Sequence, residues 1–342
     1  METRLTRYSA ASGCGCKLPA KVLDEILAGI PKGSDFNLLQ AGYLKREDAA
    51  VYAWSDSRWL LSTTDFFTPI VDDAYHYGYI SAVNSISDIY AMGGTPILAL
   101  AILGWPIDQL GTAQASEVLR GAQSACELAN IPLAGGHSIE SPAPFFGLSV
   151  TGEVAPHHLK KNQGGKSGDL LYLSKPLGTG ILASALKQEK LIPEDLKILY
   201  HWCETLNKAG EYWGKIKGVS ALTDVTGFGL LGHLQEMCGE ALGAELQYSA
   251  IPLLCDLMPY IQQNCIPNNT WRNWQTLHGK TQLSDDLQMA VLCDPQTSGG
   301  LLVAVDPLDK IEFENSFQKW IPELPCQPIG RITDTPGFKI LL

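Results

Sequence analysis

The sequence predicts an α/β (α+β) protein of two units, on three observations. Its 342 residues are more than a single hydrophobic core usually organises. Apolar residues make up 45% and charged residues 18%, the balance of a chain that buries sizeable cores. Short apolar runs alternate along the whole chain with segments of helical periodicity.

Residues 50–54 and 59–67 read as neighbouring strands joined at Ser55-Asp56-Ser57. Ile80, Val83, Ile86, Ile89 and Tyr90 fall at helical spacing, so 78–92 reads as a helix. Gly93-Gly94 stops it, and Pro96 lies just beyond. A strand at 97–103, a helix at 112–129 and strands at 131–135 and 146–154 complete a first unit. The polar, lysine-bearing stretch 155–168 reads as a junction. Beyond it, strands are expected at 169–174, 219–225, 244–248, 300–305 and 338–342, with helices at 179–188, 194–214, 229–241 and 308–320. The chain therefore divides into an arm (1–20), an N-terminal unit (21–156), a linker (157–168) and a C-terminal α/β unit (169–342).

The formal net charge is −11, which argues against a nucleic-acid backbone or an anionic membrane as partner. A phosphorylated substrate would need a local cation. No apolar run is long enough to span a bilayer, the longest being Pro96 to Leu103. Arg4 and Arg7 are not followed by a signal-like apolar stretch, so a cytoplasmic protein with reduced thiols is expected. The nine cysteines include no C-x-x-C pair, which leaves a structural zinc site unsupported.

Chemistry concentrates first in Gly13-Cys14-Gly15-Cys16-Lys17. Two thiols and an amine lie within four residues, and a nearby ammonium lowers a thiol pKa. By itself the segment is equally a loose chain end with idle thiols. Two phosphate-loop look-alikes are set aside. Gly164-Gly165-Lys166-Ser167 has Lys160 where a P-loop needs glycine, and it leads into a strand rather than a helix. Gly227-Phe228-Gly229-Leu230-Leu231-Gly232 fits a dinucleotide fingerprint with Glu245 downstream, but Asp224 would repel a pyrophosphate there.

Asp48, Asp65, Asp88 and Asp224 each sit in or beside an apolar strand or helix, with few basic neighbours. Buried carboxylates need a cation, and magnesium accepts a few carboxylates together with waters and phosphate oxygens. Asn84 lies one helical turn before Asp88 on the same face. Gly135-Gly136-His137-Ser138 and the turn Asp294 to Gly300 either expose amides to anions or are tight turns that need positive φ.

The cysteine arm, Arg46-Glu47-Asp48-Ala49-Ala50-Val51-Tyr52, Thr63-Thr64-Asp65-Phe66-Phe67, Asn84 to Gly94, Leu133 to Ser138, Leu222 to Gly229 and Cys293 to Gly300 occur in this order. Together they resemble the selenophosphate synthetase (selenide, water dikinase) family of the aminoimidazole ribonucleotide synthetase-like ATP-binding superfamily. The arm separates that family from its relatives. The resemblance implies conversion of ATP, selenide and water to selenophosphate, AMP and phosphate. It implies Cys14 as the catalytic residue, Lys17 as a basic residue on the phosphates, and Asp48, Asp88 and Asp224 as ligands of more than one Mg2+. Lys45, Arg46, Glu47 and Asp65 match the nucleotide site. Gly136, His137 and Ser138 match a segment that a partner subunit supplies to it. A homodimer with paired N-terminal sheets is implied, as are a selenium-delivery protein and downstream selenium-using enzymes. Cys14 would hold or guide selenium, with Cys16 dispensable. The competing readings are a purine-pathway ligase of the same fold, which yields ADP, and a thiol-based carrier regulated by nucleotide.

Overall fold

The computed structural model describes residues 4–9, 13–18, 20–28, 37–42, 47–277, 279–283 and 285–341. The first part of the chain runs α1 (Ala20–Ala28), β1 (Leu39–Ala41), β2 (Ala50–Tyr52), β3 (Trp59–Phe67), α2 (Ala74–Ala91), β4 (Thr95–Trp105), α3 (Thr112–Leu128), β5 (Leu133–Glu140) and β6 (Phe145–Val154). Its six strands form one sheet in the order β1-β2-β3-β6-β4-β5. β3 and β6 pair antiparallel from Trp59 opposite Val154 to Phe67 opposite Phe146. β4 and β5 pair parallel, with a register shift between Ala99 and Ala101.

The second part runs β7 (Leu170–Leu173), α4 (Thr179–Lys187), α5 (Pro193–Glu204), α6 (Ala209–Trp213), β8 (Val219–Asp224), α7 (Gly229–Cys238), β9 (Gly243–Gln247), α8 (Met258–Gln262), α9 (Asn268–Leu277), β10 (Thr281–Gln282), α10 (Asp286–Leu292), β11 (Leu301–Val305), α11 (Lys310–Trp320), β12 (Gly330–Thr333) and β13 (Gly337–Leu341). Seven strands form a second sheet in the order β10-β13-β9-β12-β7-β11-β8. Tyr172, Trp213, Phe313 and Phe317 pack a separate small core under α11. Among the described residues no helix is long and apolar enough to cross a membrane.

α2 carries the architecture. Asp73 caps it by accepting from the His76 amide, so the helix begins four residues ahead of the expected 78. It is buried on almost every side, lying between the first sheet and α3 and reaching β8 of the second sheet. That position explains why its polar residues Asn84, Ser85 and Ser87 are buried, with Asp88 partly so. The close approach to α3 depends on glycine. A Cβ on Gly78 would lie 1.8 Å from the Val118 carbonyl oxygen, and one on Gly121 would lie 2.0 Å from that of Tyr75. Gly121→Ala is therefore expected to cost about 3 kcal/mol by forcing the helices apart. An unchanged urea midpoint would show that the pair yields without strain.

Several elements differ from the sequence expectation. The helix expected at 194–214 is two helices, broken where Asn207 leaves helical geometry to donate to Ser87 Oγ and to the Gly299 carbonyl, both at 2.8 Å. The strand expected at 131–135 extends through Glu140, because Gly135 and Gly136 adopt φ of 134° and 155° inside an edge strand. Gly136 has no room for a side chain, since its Cβ would meet the Ala101 carbonyl at 2.1 Å. α1, β1, α8, α9, α10, β10 and β12 were not anticipated.

Candidate active site

The site forms where α2 crosses from the first sheet to the second. Asp48 precedes β2, Asp65 lies on β3, Asp88 on α2, and Asp224 ends β8. Three hydroxyls hold three of the carboxylates in a crossed pattern. Ser87, next to Asp88, donates to Asp224 Oδ2 at 2.6 Å. Thr223, next to Asp224, donates to Asp48 Oδ1 at 3.0 Å. Thr63 on β3 donates to Asp88 Oδ2. The expected metal ligands Asp48, Asp88 and Asp224 are thus brought together.

Their electrostatics is repulsive. Burial raises the Asp48 pKa well above the usual carboxylate range, and Asp224 and Asp88 raise it further. Burial does the same to Asp88, with Asp224 and Asp65 adding to it, while Lys17 and Thr63 oppose. Asp224 is raised by burial and relieved by Ser87, His233 and Lys17. Asp48 Oδ2 is buried and has no hydrogen-bond partner among the described residues. An orphaned oxygen among mutually repelling carboxylates fits a hard divalent cation. Among the described residues no three His, Cys, Asp or Glu side chains close a ready-made cage.

The arm docks onto this basin of carboxylates. Gly13 adopts φ 55°, and a Cβ there would lie 2.3 Å from Thr297 Oγ1. Its amide donates to the Thr68 carbonyl at 3.0 Å. The Cys14 amide donates to Thr297 Oγ1 at 2.9 Å, and Cys14 Sγ lies 3.4 Å from Asn84 Oδ1. Asn84 Nδ2 in turn donates to Asp65 Oδ2 at 2.6 Å, and Lys17 Nζ meets the same oxygen at 3.3 Å. Cys14, Lys17, Asn84 and Asp65 thus form one connected group.

The thiol departs from expectation. Lys17 does lower the Cys14 pKa, but burial outweighs it and holds the thiol well above its ordinary value, with Asp65 adding to the rise. Cys14 is fully enclosed, so its resting form is the neutral thiol. Burial works against the Lys17 charge, yet Asp65, Cys14, Asp88 and Asp224 outweigh it and raise the amine's pKa. Cys16 is exposed, and all nine cysteines are free.

The turn from Asp294 to Gly300 is buried throughout and so does not present amides to a solvent anion. Asp294 Oδ2 accepts from the amides of Gly180 and Ile181 at the start of α4, at 3.0 and 3.3 Å. Thr297 and Ser298 instead hold the arm and Asn84. The glycine run at 227–232 also packs protein. A Cβ on Gly227 would lie 3.1 Å from the Cys14 carbonyl, and one on Gly229 would lie 2.8 Å from the Cys293 backbone.

The other expected residues are placed as follows. Glu47 Oε2 accepts from the Asn162 amide at 3.1 Å. Lys45 and Arg46 lie outside the described residues. Gly136, His137 and Ser138 are exposed on edge strand β5, and no side-chain hydrogen bond among the described residues ties them to the basin. The sequence reading gave no role to Thr63, Ser87, Thr223, Thr297 or Ser298. The available signal was a hydroxyl residue within two positions of Asp65, Asp88 and Asp224, but each hydroxyl serves a different aspartate from its sequence neighbour.

Residues 46–154 match the AIR synthase related protein, N-terminal domain, and residues 166–342 the AIR synthase related protein, C-terminal domain. "Selenide, water dikinase" of Pseudomonas putida is 54% identical over 339 residues, covering 98% of each chain. That of Pseudomonas aeruginosa is 51% identical over 340 residues, again covering 98% of each. In fold, the chain is similar to Thiamine Monophosphate Kinase from Aquifex Aeolicus, with TM-score 0.62, 18% identity and 94% of each chain covered. It is also similar to the HypE-HypF complex chain, with TM-score 0.66, 15% identity, and 93% of this chain and 95% of that one covered.

Proposed function

Since the chain belongs to the selenide, water dikinase family, we propose that its acidic basin and docked arm convert ATP, selenide and water to selenophosphate, AMP and phosphate. The observation that carries this reading is the meeting of Cys14 and Lys17 with Asp65 and Asn84 beside three mutually repelling carboxylates. Asp48, Asp88 and Asp224 would hold Mg2+, which supplies the positive charge that phosphate oxygens need during transfer. Thr63, Ser87 and Thr223 fix the direction of those carboxylates. Lys17 brings a permanent positive charge to the γ-phosphoryl group, and Asp65 holds its amine in position. Selenide is a strong nucleophile and needs no general base. Cys14 guides the selenium atom and excludes water, while Asn84 orients its thiol. Transfer of the γ-phosphoryl group to selenium leaves ADP, whose remaining diphosphate link is then hydrolysed to AMP and phosphate. Lys45, Arg46 and Glu47 complete the nucleotide site in this reading.

The decisive assay is anaerobic quantification of AMP and ADP from ATP, with and without selenide. AMP formed only with selenide is expected. ADP as the end product would point to a purine-type ligase, and stoichiometric cargo without turnover would point to a carrier.

We further propose a homodimer. The outward face of the first sheet exposes Tyr52, Phe66, Ile97 and Leu100, an apolar surface that calls for a partner. A second copy would cover it and bring its Gly136, His137 and Ser138 to the nucleotide. Phe66→Asp is expected to halve the mass measured by light scattering and to weaken ATP binding. A wild-type protein that is monomeric at micromolar concentration would end the dimer reading. We assign the enzyme to the reducing cytoplasm, where its nine free thiols would stay reduced. A selenium-delivery protein upstream and selenium-using enzymes downstream are its natural partners.

A further inference from the structure

Lys175 is a buried amine to which the proposed chemistry gives no role. It follows β7 and is 2% exposed. Among the described residues it makes no ion pair. Its Nζ donates to the Ser298 carbonyl at 2.9 Å. Burial lowers its pKa to about 8, against the pull of Cys203 and Asp224. Ser298 adopts φ 51°, the left-handed region that a serine enters at a cost. In that conformation its amide donates to Asn84 Oδ1 at 2.8 Å. The same oxygen meets the Cys14 thiol, and the same carboxamide donates to Asp65.

We propose that Lys175 is a positioning residue. By holding the Ser298 carbonyl, it fixes the left-handed turn that aims the Ser298 amide at Asn84, and so presets the carboxamide that orients Cys14. The chain of contacts runs Lys175, Ser298, Asn84, Cys14, and Lys175 touches neither thiol nor carboxylate. A filler role does not explain it. A buried amine with one carbonyl partner costs stability, and a methionine would fill the same space without that cost. Neighbouring contacts fix the backbone that carries Lys175. The Ser174 amide donates to the Leu301 carbonyl at 3.0 Å, and the Leu301 amide donates to Ser174 Oγ at 2.7 Å. A Cβ on Gly300 would lie 2.3 Å from the Lys175 backbone nitrogen, so the turn packs directly on the backbone of this residue.

This inference rests on the reading of Cys14 as the selenium-guiding residue, and its test has one arm that does not need turnover. In a Cys16→Ser background, Lys175→Met is expected to keep or raise the Tm and leave the KM for ATP unchanged. It is expected to lower kcat for selenide-dependent AMP formation about tenfold or more. Alkylation of Cys14, read by mass spectrometry, is expected to accelerate by a similar factor. Unchanged Cys14 alkylation in Lys175→Met overturns the proposal. So does a fall in Tm that tracks the loss of turnover. A wild-type protein that makes no AMP with selenide would instead refute the functional reading, while the alkylation arm still decides the role of Lys175.

Discussion

Cys14→Ser is expected to lower selenide-dependent AMP formation at least about a thousandfold while ATP binding stays within a factor of about two. The substitution is nearly isosteric in a fully enclosed site. The hydroxyl can keep the contact with Asn84 Oδ1, and the backbone contact with Thr297 is unaffected. What is lost is the soft, polarisable sulfur that the proposed function assigns to guiding selenium. Nucleotide affinity, which the proposed function assigns to Lys17 and the carboxylates, has no reason to change. The two effects therefore separate in one preparation: turnover by AMP quantification, and ATP affinity by equilibrium binding. Cys16→Ser is the control, because Cys16 is exposed and joins none of the contacts around Asn84. Full turnover in Cys14→Ser would show that selenium reaches the phosphoryl group without the arm. A parallel loss of ATP binding would show that the arm serves the nucleotide instead.

The burial of this thiol bears on what could be read from sequence. Residue type marks Cys14, Lys17 and the four aspartates only as candidates, the family resemblance groups them, and the structure places them side by side. The strand pair β3 and β6 and the helix α2 were legible because their apolar periodicity is clean. The thiol's acidity was not, since burial outweighs the lysine and burial is a tertiary property. The hydroxyl network was hidden for a related reason. Ser87 and Thr223 each serve an aspartate from a different element, pairings that arise only when α2 and the segment before β2 both pack against β8. The break at Asn207 has no local signal, because its helix is interrupted by bonds to Ser87 and Gly299, far away in sequence. The short helices α8 to α10 were missed because 5 to 10 residues give periodicity little length in which to show.

The repulsion within the basin leads to the second large effect. Asp48→Asn is expected to weaken Mg2+-dependent ATP binding about a hundredfold and, at the same time, to stabilise the metal-free protein. The folded state raises the Asp48 pKa above its unfolded value, chiefly by burial and then by Asp224 and Asp88. Such a group binds its proton more tightly when folded, so the fold loses stability as pH rises from the ordinary carboxylate pKa through the raised one. At pH 7 to 8 without metal, the wild type therefore carries a penalty that the neutral amide lacks. Thr223 can still donate to the amide oxygen, and the new NH2 group replaces an oxygen that had no partner. A gain of about 1 kcal/mol, or roughly 2 °C in Tm, is the expected size for a basin that keeps some solvent contact. The gain should shrink toward pH 4, where the wild-type carboxyl is also neutral. Adding Mg2+ with ATP should reverse the order, because the wild type then gains binding energy that the variant cannot. The discriminating measurement is a set of melting curves at pH 4 and pH 8, with and without Mg2+ and ATP. A metal-free variant no more stable than wild type at pH 8 would mean that the carboxylates do not repel as described. A variant that keeps its Mg2+-dependent affinity would remove Asp48 from the cation site.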